Sequence, residues 1–272
     1  MATSELRFDI KPSLTASELD DVDTLVREAR WNQLTADWRI FTDLGRVYAA
    51  HTGADRIVAT TATLPYGSRF AWISMVLVKS EFRRHGLATQ LMRRAMEELA
   101  REGRIPILDA TPDGRAVYRR LGFQDSWGFQ RFIRREPRRP AAATSPPAGT
   151  RVRALASDDW PALCAYDAAA FGAERDGRIA GFVLGRDGML AGHLCPLIAD
   201  DDAIACALIA RALNVLDGPL FIDLADDKTA VRNFLEACGF DPVRPFTRML
   251  YGTSARFDDS ARTFAVVGPE FG

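Results

Sequence analysis

The segment Val76–Ala100, "VLVKSEFRRHGLATQLMRRAMEELA", joins two kinds of hydrophobic pattern. The residues leading into it, "FAWISMVLV", form a continuous apolar run of the length of a buried strand. After the joint, Leu87, Leu91, Met92, Ala95, Met96 and Leu99 recur at the spacing of a buried helical stripe. Between the two lies "RRHGLA", which is basic and contains a glycine. A helix start exposes unpaired N–H groups and about half a positive charge. A glycine there lets an anion come close to the backbone. The joint therefore reads as a site for a phosphate or pyrophosphate, or as a plain surface turn opening a helix; its chemistry alone leaves both open. It carries neither the G-x-x-x-x-G-K-[ST] loop nor the G-x-G-x-x-G fingerprint.

The rest of the chain sorts around this joint. Residues 136–150 are rich in Pro, Ala and small polar residues without apolar periodicity, which reads as a stiff linker. They divide the 272 residues into segments 1–135 and 151–272. The first segment predicts the order β-α-α-β-β-β-α-β-α-β. The second predicts a strand at "RVRALA", a helix capped by Ser157, two strands, and then helix, strand, helix, strand. Thr35 is the expected N-cap of the second helix. Helix–"GF"–strand occurs twice, in "VYRRLGFQD" and "FLEACGFDP", an internal repeat of one domain. Residues 1–150 hold 23 Lys/Arg and 18 Asp/Glu, net +5, leaving 12 and 18, net −6, for residues 151–272. The asymmetry fits a first half that meets an anion, and equally a solvated surface.

"VLVKSEFRRHGLATQLM" resembles the acyl-CoA loop of the GNAT N-acyltransferase superfamily, [RQ]-x-x-G-x-[GA], here Arg83-x-x-Gly86-x-Ala88. "AVYRRLGF" resembles that family's second landmark, a helix with a tyrosine before a Gly-Phe turn. The resemblance implies an α/β (α+β) fold with two GNAT-like domains in tandem, each a mixed, mostly antiparallel sheet flanked by helices. It implies that acetyl-CoA, or another short acyl-CoA, is the cosubstrate. Its pyrophosphate would lie on Arg83, Arg84, His85, Gly86, Leu87, Ala88 and Thr89, and its pantetheine along Val76, Leu77 and Val78. The acceptor would be the amine of a small molecule or peptide. Tyr118 matches the family's general acid, and backbone N–H groups of Met75–Leu77 suit the oxyanion. No general base is evident: Asp109, His51, His85 and a water relay are the open alternatives. The family's acceptor cleft falls on "EARWNQLTADWRIF", so Trp31, Asn32, Gln33, Asp37 and Trp38 are candidate acceptor contacts. Ordinary packing of the two tryptophans is the alternative.

The second segment resembles the degenerate domain of tandem GNAT proteins. Leu235 stands where Tyr118 stands in the first, and Asp200, Asp201 and Asp202 at a helix start repel a pyrophosphate. A catalytically silent domain is expected, with a shortened hairpin or a missing segment near residues 172–178. The apolar "TFAVV" near the end predicts that Phe264–Val267 docks as an added strand or in the interdomain cleft. No metal, nucleic-acid or membrane partner is expected: the pI is near 6.3 and no basic helix interleaves aromatics. Four cysteines without a C-x-x-C pair read as buried free thiols of a cytoplasmic protein, monomeric or homodimeric. An acyl-CoA-binding sensor without turnover is the competing function.

Overall fold

Thr15 opens the first helix with a reciprocal cap. Its N–H donates to Glu18 Oε2 at 2.8 Å, and its Oγ1 accepts from the Glu18 N–H at 3.4 Å. The computed structural model describes residues 6–137, 146–170 and 179–272. Its first ten elements are β1 (Arg7–Lys11), α1 (Ala16–Ala29), α2 (Thr35–Leu44), β2 (Arg46–His51), β3 (Ile57–Tyr66), β4 (Phe70–Val78), α3 (Leu87–Arg101), β5 (Ile105–Ala110), α4 (Pro112–Arg120) and β6 (Phe123–Arg134). This is the predicted order. Then come α5 (Trp160–Ala170), β7 (Gly181–Arg186), β8 (Gly192–Ala199), α6 (Asp202–Leu213), β9 (Leu220–Ala225), α7 (Thr229–Ala237), β10 (Asp241–Tyr251) and β11 (Thr263–Ala265).

Four local expectations are corrected. Residues 151–156 form no strand; they are mostly exposed and lack an apolar face to bury, Leu155 included. Helix α2 is capped at Leu34, whose N–H donates to Asp37 Oδ2 at 2.8 Å, while the Thr35 hydroxyl donates to Asp23 instead. The turn before α5 starts at Ala156, whose N–H donates to Asp159, so Ser157 is no cap. Cys164 is exposed; Cys195 and Cys238 are buried, Cys206 is partly buried, and all four are free thiols. The segment near 172–178 lies outside the described residues, as does most of the linker.

Eleven strands form one sheet among the described residues, in the order β1-β2-β3-β4-β5-β10-β6-β9-β11-β8-β7. The pairings are antiparallel except β4–β5 and β8–β9. Two strands cross between the halves. Strand β10 lies between β5 and β6, and β6 continues the sheet by pairing with β9. The linker thus divides the sequence but not the hydrogen-bonded sheet. On one face of its first half, α1 and α2 bury Trp38, Phe41, Trp72 and Met75. On the other, α3 buries Leu87, Leu91, Met92, Ala95 and Leu99. A third core packs α6 and α7 on the second half. No helix of the described residues is long and apolar enough to cross a membrane.

Candidate active site

Strands β4 and β5 run parallel but share only the rungs Phe70↔Ile105, Ala71↔Pro106 and Trp72↔Ile107. Past Trp72 they part. On the opposite edge of β4, Thr60 pairs with Leu77 and Ala62 with Ser74, so Met75 and Val76 face the single residue Thr61. This is a β-bulge, which bends the strand and adds twist. Met75 sits at φ +51°, a conformation that costs a non-glycine residue about 1–3 kcal/mol. The Thr60 hydroxyl holds the bulge by donating to the Met75 carbonyl at 2.8 Å. The extra residue also shifts the side-chain alternation. Val76 and Val78 follow Ala71 and Ile73 onto the α3 face, whereas Met75 and Leu77 turn to the α1–α2 face. Strand β10 occupies the far edge of β5 at Ile107–Ala110.

The split opens a cavity of about 550 Å³. Ile73, Ser74, Met75, Val76 and Val78 line it from β4, and Leu108 and Asp109 from β5. At its mouth lies the basic loop. Gly86 is the N-cap of α3 at φ +79°, with no side chain capping the helix. The first amides of α3 are thus free of any side-chain acceptor, and Arg83 and Arg84 stand beside them, exposed. Arg83 Nε donates to the Val78 carbonyl at 3.0 Å and ties the loop to the end of β4. Ala88 and Thr89 continue the wall. Uncapped amides, two cations and an unpaired strand edge past Trp72 fit an extended, amide-containing chain ending in phosphates.

Tyr118 lines the cavity from α4. A side chain at Gly114 would meet the Tyr118 ring at 2.8 Å, so the glycine makes room for it. Burial pushes the phenol up to about 12. Thr111 caps this helix by accepting from the Gly114 N–H at 3.3 Å, so Asp109 is no cap. Asp109 instead receives Arg248 of β10 in two bonds of 2.9 and 2.8 Å. Burial raises its pKa against the pull of that guanidinium.

The other expected residues divide. Trp31 and Gln33 line the cavity. Asn32 is 1% exposed and serves the second half: its Oδ1 accepts from the Leu190 and Ala191 N–H at 2.8 and 3.1 Å, and its Nδ2 donates to the Ala191 carbonyl at 2.9 Å. Trp38 is a core residue, edge-on to Phe41. Asp37 does not line the cavity; it caps α2 and lies 3.4 Å from Arg186, with burial raising its pKa. Leu77 packs into the core and His85 is exposed, and neither side chain lines the cavity. His51 is buried on β2 with Asp9 at 3.0 Å, outside the cavity.

The sequence alone names no lining residue from the far side of the cavity: Arg131 on β6, Arg244 and Phe246 on β10, and Pro269 and Glu270 beyond β11. The tail docks in both of the expected ways. Thr263–Ala265 inserts between β8 and β9, and the Val266 N–H donates to the Asp223 carbonyl at 3.1 Å. The chain then crosses to the first half. Phe271 stacks on Phe41 at 5.4 Å, and the Tyr66 hydroxyl donates to the Phe271 carbonyl at 2.5 Å. Glu270 is thereby held 2% exposed; Arg186 pairs with its Oε1, and its Oε2 has no hydrogen-bond partner. In the second half, Leu235 is fully buried core. Asp201 caps α6 by accepting from the Ile204 N–H at 2.8 Å, where α3 is left uncapped.

The Acetyltransferase (GNAT) family model matches residues 14–123, and the Acetyltransferase (GNAT) domain model matches residues 163–265. The chain belongs to the GNAT acetyltransferases and carries two such domains in tandem. It is 21% identical over 222 residues to the uncharacterized N-acetyltransferase YitH of Bacillus subtilis, covering 74% of this chain and 77% of that protein. Among solved structures, a putative acetyltransferase from Pyrococcus horikoshii superposes with a TM-score of 0.71 at 19% identity, over 97% of this chain and 96% of that one. A tandem GNAT protein from the clavulanic acid biosynthesis pathway gives 0.68 at 13% identity, over 93% and 100% of the two chains. These structural likenesses speak for the fold. The family uses acetyl-CoA. Among the described residues, no group of three His, Cys, Asp or Glu could hold a metal ion.

Proposed function

We propose that this protein transfers an acetyl or other short acyl group from acyl-CoA to the amine of a small molecule or peptide, at the cavity between β4 and β5. The observation that carries this is the split strand pair, which joins three features in one cavity: the uncapped start of α3, the free edge of β4 and the Tyr118 phenol. The loop amides with Arg83 and Arg84 take the phosphates, and the edge Val76–Val78 pairs with the pantetheine amides. A neutral amine attacks the thioester carbonyl. The amides of the Met75–Val76 bulge, turned out of the regular ladder, suit the developing oxyanion. As the C–S bond breaks, Tyr118 donates its O–H to the departing sulfur, a contribution of roughly 10²–10⁴-fold for a positioned acid, and the proton that the nitrogen sheds on becoming an amide passes through water to restore the phenol. The second domain binds no acyl-CoA; it supplies the far wall of the acceptor cleft. Free thiols fit a reducing compartment such as the cytoplasm. An acceptor screen monitored by thiol release tests the reading. Amine-dependent release supports transfer; acyl-CoA binding without release on any amine supports a sensor instead.

A further inference from the structure

Two charged groups of opposite sign line the cavity with hydrogen-bonding capacity left over. Glu270 is the first. Its side chain is 1% exposed, Arg186 occupies Oε1, and Oε2 has no partner. A buried carboxylate oxygen without a donor is costly and calls for a cation or N–H donor. Arg244 is the second. It lines the same cavity, is partly buried, and has no ion pair or hydrogen bond among the described residues. Its neighbour across the ladder, Arg131, is satisfied by two bonds to Asp223 of 2.7 and 2.6 Å. That pair leaves Arg244 beside a second guanidinium, with Asp223 and Asp113 acting on it only through space and neither bonded to it.

Strand geometry puts both groups on the acceptor side. Arg244, Phe246 and Arg248 alternate on β10 in regular register with Arg131, Phe129 and Trp127 of β6, so they share one face. On that face Arg248 lies over Trp72 at 4.5 Å, and Phe246 packs with Phe129 and Val266. It is the face of the tail and of α1–α2, opposite to α3 and its phosphate loop. Arg244 therefore belongs to the sheet face opposite α3, although the cavity, open through the split, reaches both Arg244 and the loop that would take the CoA phosphates.

Resting on the acyl-transfer reading above, we infer that the acceptor is a small amino acid-like zwitterion, with its ammonium at Glu270 Oε2 and its carboxylate or other anionic group at Arg244. Each end of such a molecule satisfies one of the two: the unpartnered Oε2 of Glu270 and the Arg244 guanidinium. A plain amine would leave Arg244 unpaired, and a dianion would face Glu270. The apolar remainder of the cavity, with Phe246 and Trp31, suits the carbon skeleton between the charges.

The full chain with acetyl-CoA is offered matched pairs, each an amino acid or ω-amino acid beside the amine lacking its carboxylate, with thiol release as readout. The expected result is a kcat/KM on the order of 10²-fold higher for the acid-bearing member, a ratio that collapses toward one in Arg244→Ala and is partly kept in Arg244→Lys. Equal rates for both members, or an unchanged ratio in Arg244→Ala, would overturn the acceptor assignment and leave acyl transfer standing. Binding of the same pairs, followed by tryptophan fluorescence with CoA present, separates the two failures. If no amine is acylated but the acid-bearing members still bind selectively through Arg244, the acceptor site holds and the transfer reading falls. No selective binding overturns the acceptor assignment itself.

Discussion

Tyr118 is an acid at neutral pH by its ordinary pKa near 10, and burial extends that state upward. Its phenol is pushed up to about 12, so the acid form dominates through neutral and moderately alkaline pH. A group that must be protonated and has a raised pKa loses function only as pH climbs toward that value. The pH profile of kcat should therefore show no descending limb from Tyr118 below roughly pH 11. Tyr118→Phe keeps the ring beside Phe123 and removes only the hydroxyl. It should lower kcat on the order of 10-fold to 10³-fold with little change in KM for acyl-CoA. Wild-type turnover in that variant at every pH would reduce Tyr118 to a wall. At this scale the sequence was informative where chemistry is local: Arg83, Gly86 and Tyr118 sit in contiguous motifs. It was silent on Arg131, Arg244 and Glu270, because each lines the cavity only through strand pairing and tail docking with distant segments. Asn32 and Trp38 misled for the opposite reason. A polar or aromatic residue between two helices has the same composition whether it meets a ligand or a neighbouring loop.

Among the elements, the loop before α3 and the tail after β11 test the site from its two ends. Gly86 sits at φ +79°, and a side chain there would meet only Gln90 Nε2 at 3.8 Å. Gly86→Val therefore strains the backbone and covers the amides without clashing with the protein itself. Acyl-CoA affinity should drop by at least about 10-fold, with only a modest loss of thermal stability. Isothermal titration and a melting curve check this, and an unchanged affinity would remove the phosphate site. Truncation after Gly252 is the blunter test of the tail, since it deletes β11 from between β8 and β9 and takes Phe271 out of the core. Glu270→Gln is milder, because it keeps the shape and removes the charge. It should raise the acceptor KM by about 10-fold or more while leaving acyl-CoA affinity in place. A variant with both constants unchanged would show that Glu270 serves only Arg186. The apolar residues of "TFAVV" made docking legible, whereas the bulge at Met75 left no mark, since a register shift depends on the partner strand.

For the molecule as a whole, the exchange of β6 and β10 decides what can fold alone. Residues 1–135 lack the strand between β5 and β6, and residues 151–272 lack β6 beside β9. Unpaired interior edges are aggregation hazards. We expect each half alone to be poorly folded and co-expression to restore acyl-CoA binding; a soluble first half with full affinity would contradict this. The halves are also joined by Arg131, Asp223 and His193 on β6, β9 and β8, all buried. Burial alone would lower the His193 pKa, but the Asp223 carboxylate, 3.4 Å from Nε2, outweighs it and pushes His193 up to about 9. A folded-state pKa above the unfolded value of about 6.5 gives stability that is present below pH 6.5 and lost as pH rises through 9. Urea unfolding should show a decline on the order of 1–3 kcal/mol across that window, flattened in His193→Gln. A wild type whose stability is flat from pH 6 to about pH 9.5 would mean that His193 is neutral. Asp223, held well below the usual carboxylate range, acts only in acid and does not disturb this window.

Acyl transfer at a cavity built from both halves can be measured directly. The full chain is mixed with acetyl-CoA and a panel of amines, and free thiol and N-acyl product are quantified together. The expected result is amine-dependent thiol release matched one to one by acylated amine, reduced in both Tyr118→Phe and Glu270→Gln. Tight acetyl-CoA binding with neither thiol nor acylated amine formed on any member of the panel would contradict it.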